Sequence, residues 1–144
     1  MVFDSHSAAQ TEEIAARFAK TLKGGTVVAF YGGLGMGKTA FVRGMAQGLG
    51  LTAEVSSPTF ALVHEYGGQP PLIHFDMYRV SGWEDLYSTG FFEYIDRGCI
   101  LAVEWSENIE AALPERTVRV IITSDGGDER RITIEGDGYE DIGT

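Results

Sequence analysis

Hydrophobic residues recur along the chain in two periods, and the places where the period switches divide it into elements. Ser7-Ala8-Ala9-Gln10 has the S-x-x-Q form of a capping box, and Ile14, Ala15, Phe18, Ala19 and Leu22 follow at three- and four-residue spacing. This predicts an amphipathic helix ending near Gly24-Gly25. Thr26 to Tyr31 is β-branched and aromatic and reads as a buried strand. Beyond a glycine-rich stretch the helical period returns at Phe41, Val42, Met45, Ala46 and Leu49, with Gly48 and Gly50 as stop signals. Thr59 to Tyr66 and Leu72 to Tyr78 predict two strands of a hairpin joined through Gly67 to Pro71. Short helices are expected at Trp83 to Tyr87 and Phe91 to Ile95. Cys99 to Val103 is continuously apolar, as a strand covered on both faces must be. Thr117 to Thr123 and Arg130 to Glu135 alternate like a closing hairpin, and the acidic end from Gly136 to Thr144 is expected to be loose. Neither repeats nor a linker interrupt this order. It predicts an α/β fold in one domain of 144 residues, a mixed sheet with helices packed on its faces.

The glycine-rich stretch adds chemistry. Gly32-Gly33-Leu34-Gly35-Met36-Gly37-Lys38-Thr39 satisfies the whole phosphate-loop pattern G-x-x-x-x-G-K-[ST]. Its glycines let successive N–H groups turn inward around phosphates. Lys38 is a point charge for the β- and γ-phosphates, and the Thr39 hydroxyl suits Mg²⁺. Lys38, Thr39 and Ala40 open the second helix, so its N-terminus also favours an anion. A strand before the loop and a helix after it supply the required context, and the pattern implies a P-loop NTPase that binds a nucleoside triphosphate.

Charge narrows the partners. The formal net charge is −10, and the chain has three lysines, Lys20, Lys23 and Lys38. A surface so acidic repels nucleic acid, so work on RNA would pass through a partner. The guanine-reading N-K-x-D motif needs a lysine in a setting that neither Lys20 nor Lys23 has, which favours ATP over GTP. The single cysteine, Cys99, lies in an apolar run and is expected to be a buried thiol. No stretch is long and apolar enough for a membrane span, and the N-terminus lacks the basic start and apolar run of a signal peptide. A cytoplasmic setting is expected.

A phosphate loop needs a carboxylate to hold metal and orient water. Glu104 ends Ile100-Leu101-Ala102-Val103, and Asp76 ends Leu72-Ile73-His74-Phe75, so each can be delivered to the carboxyl edge of the sheet. Spacing alone does not say which acid meets the metal and which meets water, and it leaves two alternatives to an ATPase open: a small-molecule kinase with Asp76 as base for a substrate hydroxyl, and a nucleotide-gated binding module with negligible turnover. Ser56-Ser57-Pro58-Thr59 lies where a phosphate-sensing segment would, although such loops are mostly connections. Trp105 and His74 read first as core residues, and Arg43 and Arg79 as surface or structural ion-pair partners.

Taken in order, the loop, Ser57-Pro58-Thr59-Phe60, His74-Phe75-Asp76-Met77-Tyr78-Arg79 and Val103-Glu104-Trp105 resemble the bacterial TsaE (YjeE) family from about Thr11 to Arg131. The resemblance implies a weakly active ATPase that supports formation of threonylcarbamoyladenosine (t6A) at adenosine 37 of tRNA. It implies two partners, a TsaD-like catalytic subunit and a TsaB-like scaffold, with tRNA reached only indirectly. It also divides the acids: Glu104 would join Thr39 on Mg²⁺, and Asp76 would orient or activate water. Thr59 would lie in the nucleotide-sensing segment, Trp105 close to the nucleotide or a partner, and Thr11 near the adenine. Two positions depart from the family pattern G-D-L-G-A-G-K-T, with Gly33 for its acid and Met36 for its alanine. Ser106 stands where proline often follows V-E-W. Phosphate binding is expected to survive these changes.

Overall fold

The computed structural model describes residues 1–32, 37–51, 63–78 and 80–136. Gly33, Leu34, Gly35, Met36, Ser56, Ser57, Pro58, Thr59, Arg79 and the tail from 137 onward lie outside the described residues. Seven strands, β1 Val2–Ser5, β2 Val27–Tyr31, β3 Val63–Gly68, β4 Pro71–Asp76, β5 Ile100–Glu104, β6 Val118–Gly126 and β7 Glu129–Glu135, form one sheet in the order β1-β7-β6-β2-β5-β4-β3. The inner four, β6, β2, β5 and β4, are parallel, while β3, β7 and β1 join through antiparallel pairs. It follows that β1, β6, β2, β5 and β4 all end at the same edge of the sheet.

The helices are α1 Ala8–Ala19, α2 Lys38–Gly48, α3 Trp83–Ser88 and α4 Phe91–Asp96, with a kinked 3₁₀ segment over Ser106–Ala112. Strand alternation sorts the core into two layers. Val28, Phe30, Leu72, Ile100 and Ala102 pack with Phe18, Phe41, Val42 and Met45 of α1 and α2. Val27, Ile73, Phe75, Leu101 and Val103 face the other way, onto Leu86, Phe91 and Cys99. Burying each such large apolar side chain stabilises the fold by about 1.5–3 kcal/mol. Cys99 is buried and free, as its apolar run predicts.

Three local outcomes differ from the sequence reading. Helix α1 ends at Ala19, short of Gly24-Gly25, because Thr21 N–H and Leu22 N–H turn back to Phe18 O and Ala19 O. The Thr21 hydroxyl also donates to Phe18 O at 2.7 Å, closing the helix with a local side-chain bond. In the capping box Ser7 Oγ accepts from Gln10 N–H at 3.0 Å, but the Gln10 side chain reaches past Ser7 to accept from His6 N–H at 2.8 Å. Strand β1 carries no alternation to mark it; it exists through its pairing with β7, from Val2↔Thr133 to Ser5↔Arg130. Among the described residues no helix is long and apolar enough to cross a membrane.

Candidate functional site

The shared strand edge collects the predicted chemistry. Strand β2 runs into Gly32, and α2 starts at Lys38 on the far side of the loop. Both flanking glycines are required by geometry. At Gly32 (φ 128°) a Cβ would lie 2.2 Å from Ile122 O of β6, so the chain can leave the sheet this close to its neighbour only without a side chain. Gly37 (φ 95°) caps α2 in the left-handed region. Lys38 is buried and its Nζ lies 5.8 Å from the centroid of the Trp105 ring, a cation–π contact of about 0.5–1 kcal/mol. Thr39 and Ala40 follow in the first turn, half-buried.

Strand pairing brings the two acids together. Asp76 and Glu104 are Cα partners on parallel β4 and β5, which places their backbones about 4.8 Å apart. They leave the sheet abreast. Asp76 Oδ1 accepts from Tyr78 N–H at 2.9 Å, so its carboxylate also shapes the chain that departs from β4. Asn108 holds that same exit, donating to Met77 O at 2.8 Å and Tyr78 O at 3.2 Å. Sequence reasoning gave Asn108 no role, since its partners lie thirty residues earlier.

His74 is fully buried and its Nε2 lies 2.8 Å from Glu104 Oε2. A carboxylate only accepts, so this nitrogen carries the hydrogen. The opposite nitrogen, Nδ1, lies 3.4 Å from the Tyr66 hydroxyl, which in turn lies 3.3 Å from His64 Nδ1. The pattern explains the placement: His74 and Glu104 share a sheet face one step apart diagonally, since His74 pairs with Ala102. The core reading of His74 is right about its burial and silent about its partner.

Trp105 turns the chain out of β5 with φ 60°, the one left-handed residue other than glycine among the described residues. Such a backbone costs about 1–2 kcal/mol, and hydrogen bonds on both sides hold it. Ser106 Oγ donates to Val103 O at 2.9 Å, and Asn108 N–H to Trp105 O at 3.1 Å. The half-buried indole packs on Tyr78 with ring centroids 4.9 Å apart, between the lysine and the exit of β4. The 3₁₀ segment is fastened by Glu110, which accepts from the Tyr31 hydroxyl at the end of β2 and from Arg119 Nη2 at 2.9 Å. Burial, then the Glu110 hydrogen bond, pushes the Tyr31 phenol up to about 12. The same two bonds hold the Glu110 carboxyl below its ordinary value.

On the other side of the loop stand the β6–β7 turn and the start of α1. Arg130 lies beside Gly37, with Nε 3.8 Å from where a Gly37 Cβ would be. Its Nη1 is fixed by Ser124 Oγ, Gly127 O and Glu129 O at 2.8–2.9 Å. This is a preformed guanidinium fork at the loop that spacing in the sequence did not reveal. Thr11 is 2% exposed and its hydroxyl is 2.7 Å from Ser5 Oγ, so it fastens α1 to β1 at this edge. Arg43 lies 3.9 Å from Glu12, a surface pair as expected.

By donor chemistry, oxygens from Thr39 and Glu104 would suit a hard divalent cation such as Mg²⁺. No cluster of three or more His, Cys, Asp or Glu that would cage a metal by protein ligands alone occurs among the described residues.

A family model described as Threonylcarbamoyl adenosine biosynthesis protein TsaE matches residues 5–132. The tRNA threonylcarbamoyladenosine biosynthesis protein TsaE of Bacillus subtilis is 40% identical over 134 residues, covering 91% of this chain and 84% of that protein. Its counterpart in Treponema pallidum is 37% identical over 130 residues, covering 90% and 96%. The crystal structure of Bacillus subtilis YdiB superposes with a TM-score of 0.81 at 35% identity, covering 96% of this chain and 88% of the other. The architecture is a P-loop NTPase fold.

Proposed function

The chain belongs to the TsaE family of tRNA threonylcarbamoyladenosine biosynthesis proteins, and on that premise we propose that it is the ATP-binding, weakly hydrolysing subunit of the t6A system. The observation that carries this reading is the Asp76↔Glu104 register, which presents two acids side by side next to the helix that begins with Lys38. Two acids at one strand edge favour hydrolysis over sensing alone.

In this reading the N–H groups from Gly32 to Ala40 enclose the phosphates, and Lys38 neutralises the β- and γ-oxygens. Thr39 and Glu104 would hold Mg²⁺, which would supply positive charge to offset that growing on the leaving group. Asp76 accepts a hydrogen bond from the attacking water and takes its proton as the oxygen bonds to the γ-phosphorus and the bond to the β–γ bridging oxygen breaks. Trp105 packs against Lys38 and screens the pair of acids from bulk water. The nucleoside leaves the loop on the opposite side, towards Arg130 and the edge that holds Thr11. Thr59 belongs to the nucleotide-sensing segment. Catalysis by Asp76 and Glu104 alone is slow, and a TsaD-like catalytic subunit with a TsaB-like scaffold accelerates it. That complex, not this acidic chain, grips the tRNA, in keeping with the net charge of −10.

Titration calorimetry with ATP and a phosphate-release assay test the site directly. Micromolar binding, slow release of phosphate, and loss of both in Lys38→Ala are expected. Equal affinity and rate in Lys38→Ala would refute the loop assignment, and release undiminished by EDTA would refute the metal.

A further inference from the structure

Glu104 can serve a metal only if its carboxylate is aimed, and what aims it comes from another strand. The His74 ring is wholly buried, so it makes no contact with solvent, and its Nε2–H points at one oxygen of Glu104 at 2.8 Å. Behind it, His74 Nδ1 lies 3.4 Å from the Tyr66 hydroxyl, which lies 3.3 Å from His64 Nδ1. The row His64, Tyr66, His74 thus ends on Glu104. Neighbouring hydrogen bonds strengthen one another, so this row firms the bond onto Glu104 Oε2. The Glu104 side chain is 13% exposed against 0% for His74, so the carboxylate reaches the site while the imidazole stays behind it.

We propose that His74 is a positioning residue that fixes the Glu104 carboxylate for divalent-cation binding, backed by Tyr66. It occupies Oε2, which leaves Oε1 as the oxygen offered to the cation. The inference rests on the reading of Glu104 as the Mg²⁺ ligand. Losing the partner of a metal-binding side chain weakens metal affinity by about 10–100-fold in general.

Two polar replacements separate this role from mere core filling. Gln in an imidazole's place puts its amide nitrogen near the Nε2 position, and Asn puts it near Nδ1, out of reach of Glu104. The readout is nucleotide binding by calorimetry across a range of Mg²⁺ concentrations, with ADP so that turnover plays no part, and once in EDTA. His74→Asn should raise the Mg²⁺ concentration needed for half-maximal tight binding about 10-fold, leave affinity in EDTA unchanged, and unfold cooperatively. His74→Gln should stay within about 3-fold of the parent. Tyr66→Phe, which removes only a hydroxyl, should raise the requirement about 2–3-fold. In Glu104→Ala the His74→Asn change should have no further effect.

Equal Mg²⁺ requirements for the parent and His74→Asn, or equal impairment of the Asn and Gln variants, would overturn the proposal while leaving Glu104 a ligand. If Glu104→Ala itself binds Mg²⁺·ADP as the parent does, the ligand reading fails first and the positioning role falls with it.

Discussion

Helices α1 and α2 touch through backbone, and one methyl group measures how much the site depends on that contact. A Cβ built at Gly44 would lie 2.3 Å from Glu12 O, 2.7 Å from Glu12 Cα and 2.7 Å from the Ala15 Cβ. Two of these atoms are backbone of the facing helix, so no side chain can rotate away and the helices must part. Overpacking of this kind costs about 1–3 kcal/mol. Alanine returns about 1 kcal/mol through its better helix propensity. With backbone on the other side the upper figure applies, leaving Gly44→Ala about 2 kcal/mol less stable. For a domain of this size that lowers the melting temperature by roughly 6–8 °C. Urea unfolding followed by tryptophan fluorescence should show a lower midpoint at unchanged slope. Because α2 begins at Lys38, two turns before Gly44, parting the helices also moves the lysine and should weaken ATP binding. Gly82→Ala is the control. Nothing lies within 4 Å of that added Cβ and the backbone is extended, so the change should stay below about 1 kcal/mol. A Gly44→Ala protein as stable as the parent, or more so, would mean that propensity wins and that the two helices are not in backbone contact.

Asp76→Asn keeps the acceptor for Tyr78 N–H and should slow phosphate release about 100-fold or more with ATP affinity nearly unchanged; weaker binding at normal turnover would exchange the roles of the two acids. Arg130→Ala should weaken ATP and ADP alike by about 10-fold in calorimetry, since Arg130 flanks the loop on the side away from Glu104; a loss for ATP alone would put the guanidinium at the γ-phosphate. Tyr31, with its phenol pushed up to about 12, favours the neutral form when folded. Its contribution to stability is complete below its ordinary value of 10.0 and is lost as pH rises towards 12. Melting temperatures should therefore fall more steeply across that interval in the parent than in Tyr31→Phe; parallel curves would refute the assignment.

Much of this site is local in sequence, and that part was legible. The phosphate loop, its strand and its helix are contiguous, and each acid ends an apolar run that can only be a buried strand. What was hidden depends on which strands become neighbours. Asp76 and Glu104 stand abreast because β4 and β5 are adjacent, and no spacing states that register. Likewise a histidine between apolar residues announces burial, but its partner is thirty residues away. Arg130 and Asn108 reach the site through a hairpin and a 3₁₀ segment whose placement is set by tertiary pairing. Strand β1 has four residues and no alternation, so only its pairing with β7 defines it. The resemblance implies a place near the adenine for Thr11, whereas what the structure shows is its buried bond to Ser5.

The most direct test of the proposed role is t6A formed per copy of protein on tRNA, with the TsaD-like and TsaB-like partners present and ATP hydrolysis followed in the same tube. Several rounds of modification and faster phosphate release are expected with this chain, and neither with Lys38→Ala. Equal modification with the parent, with Lys38→Ala and without the chain would contradict it.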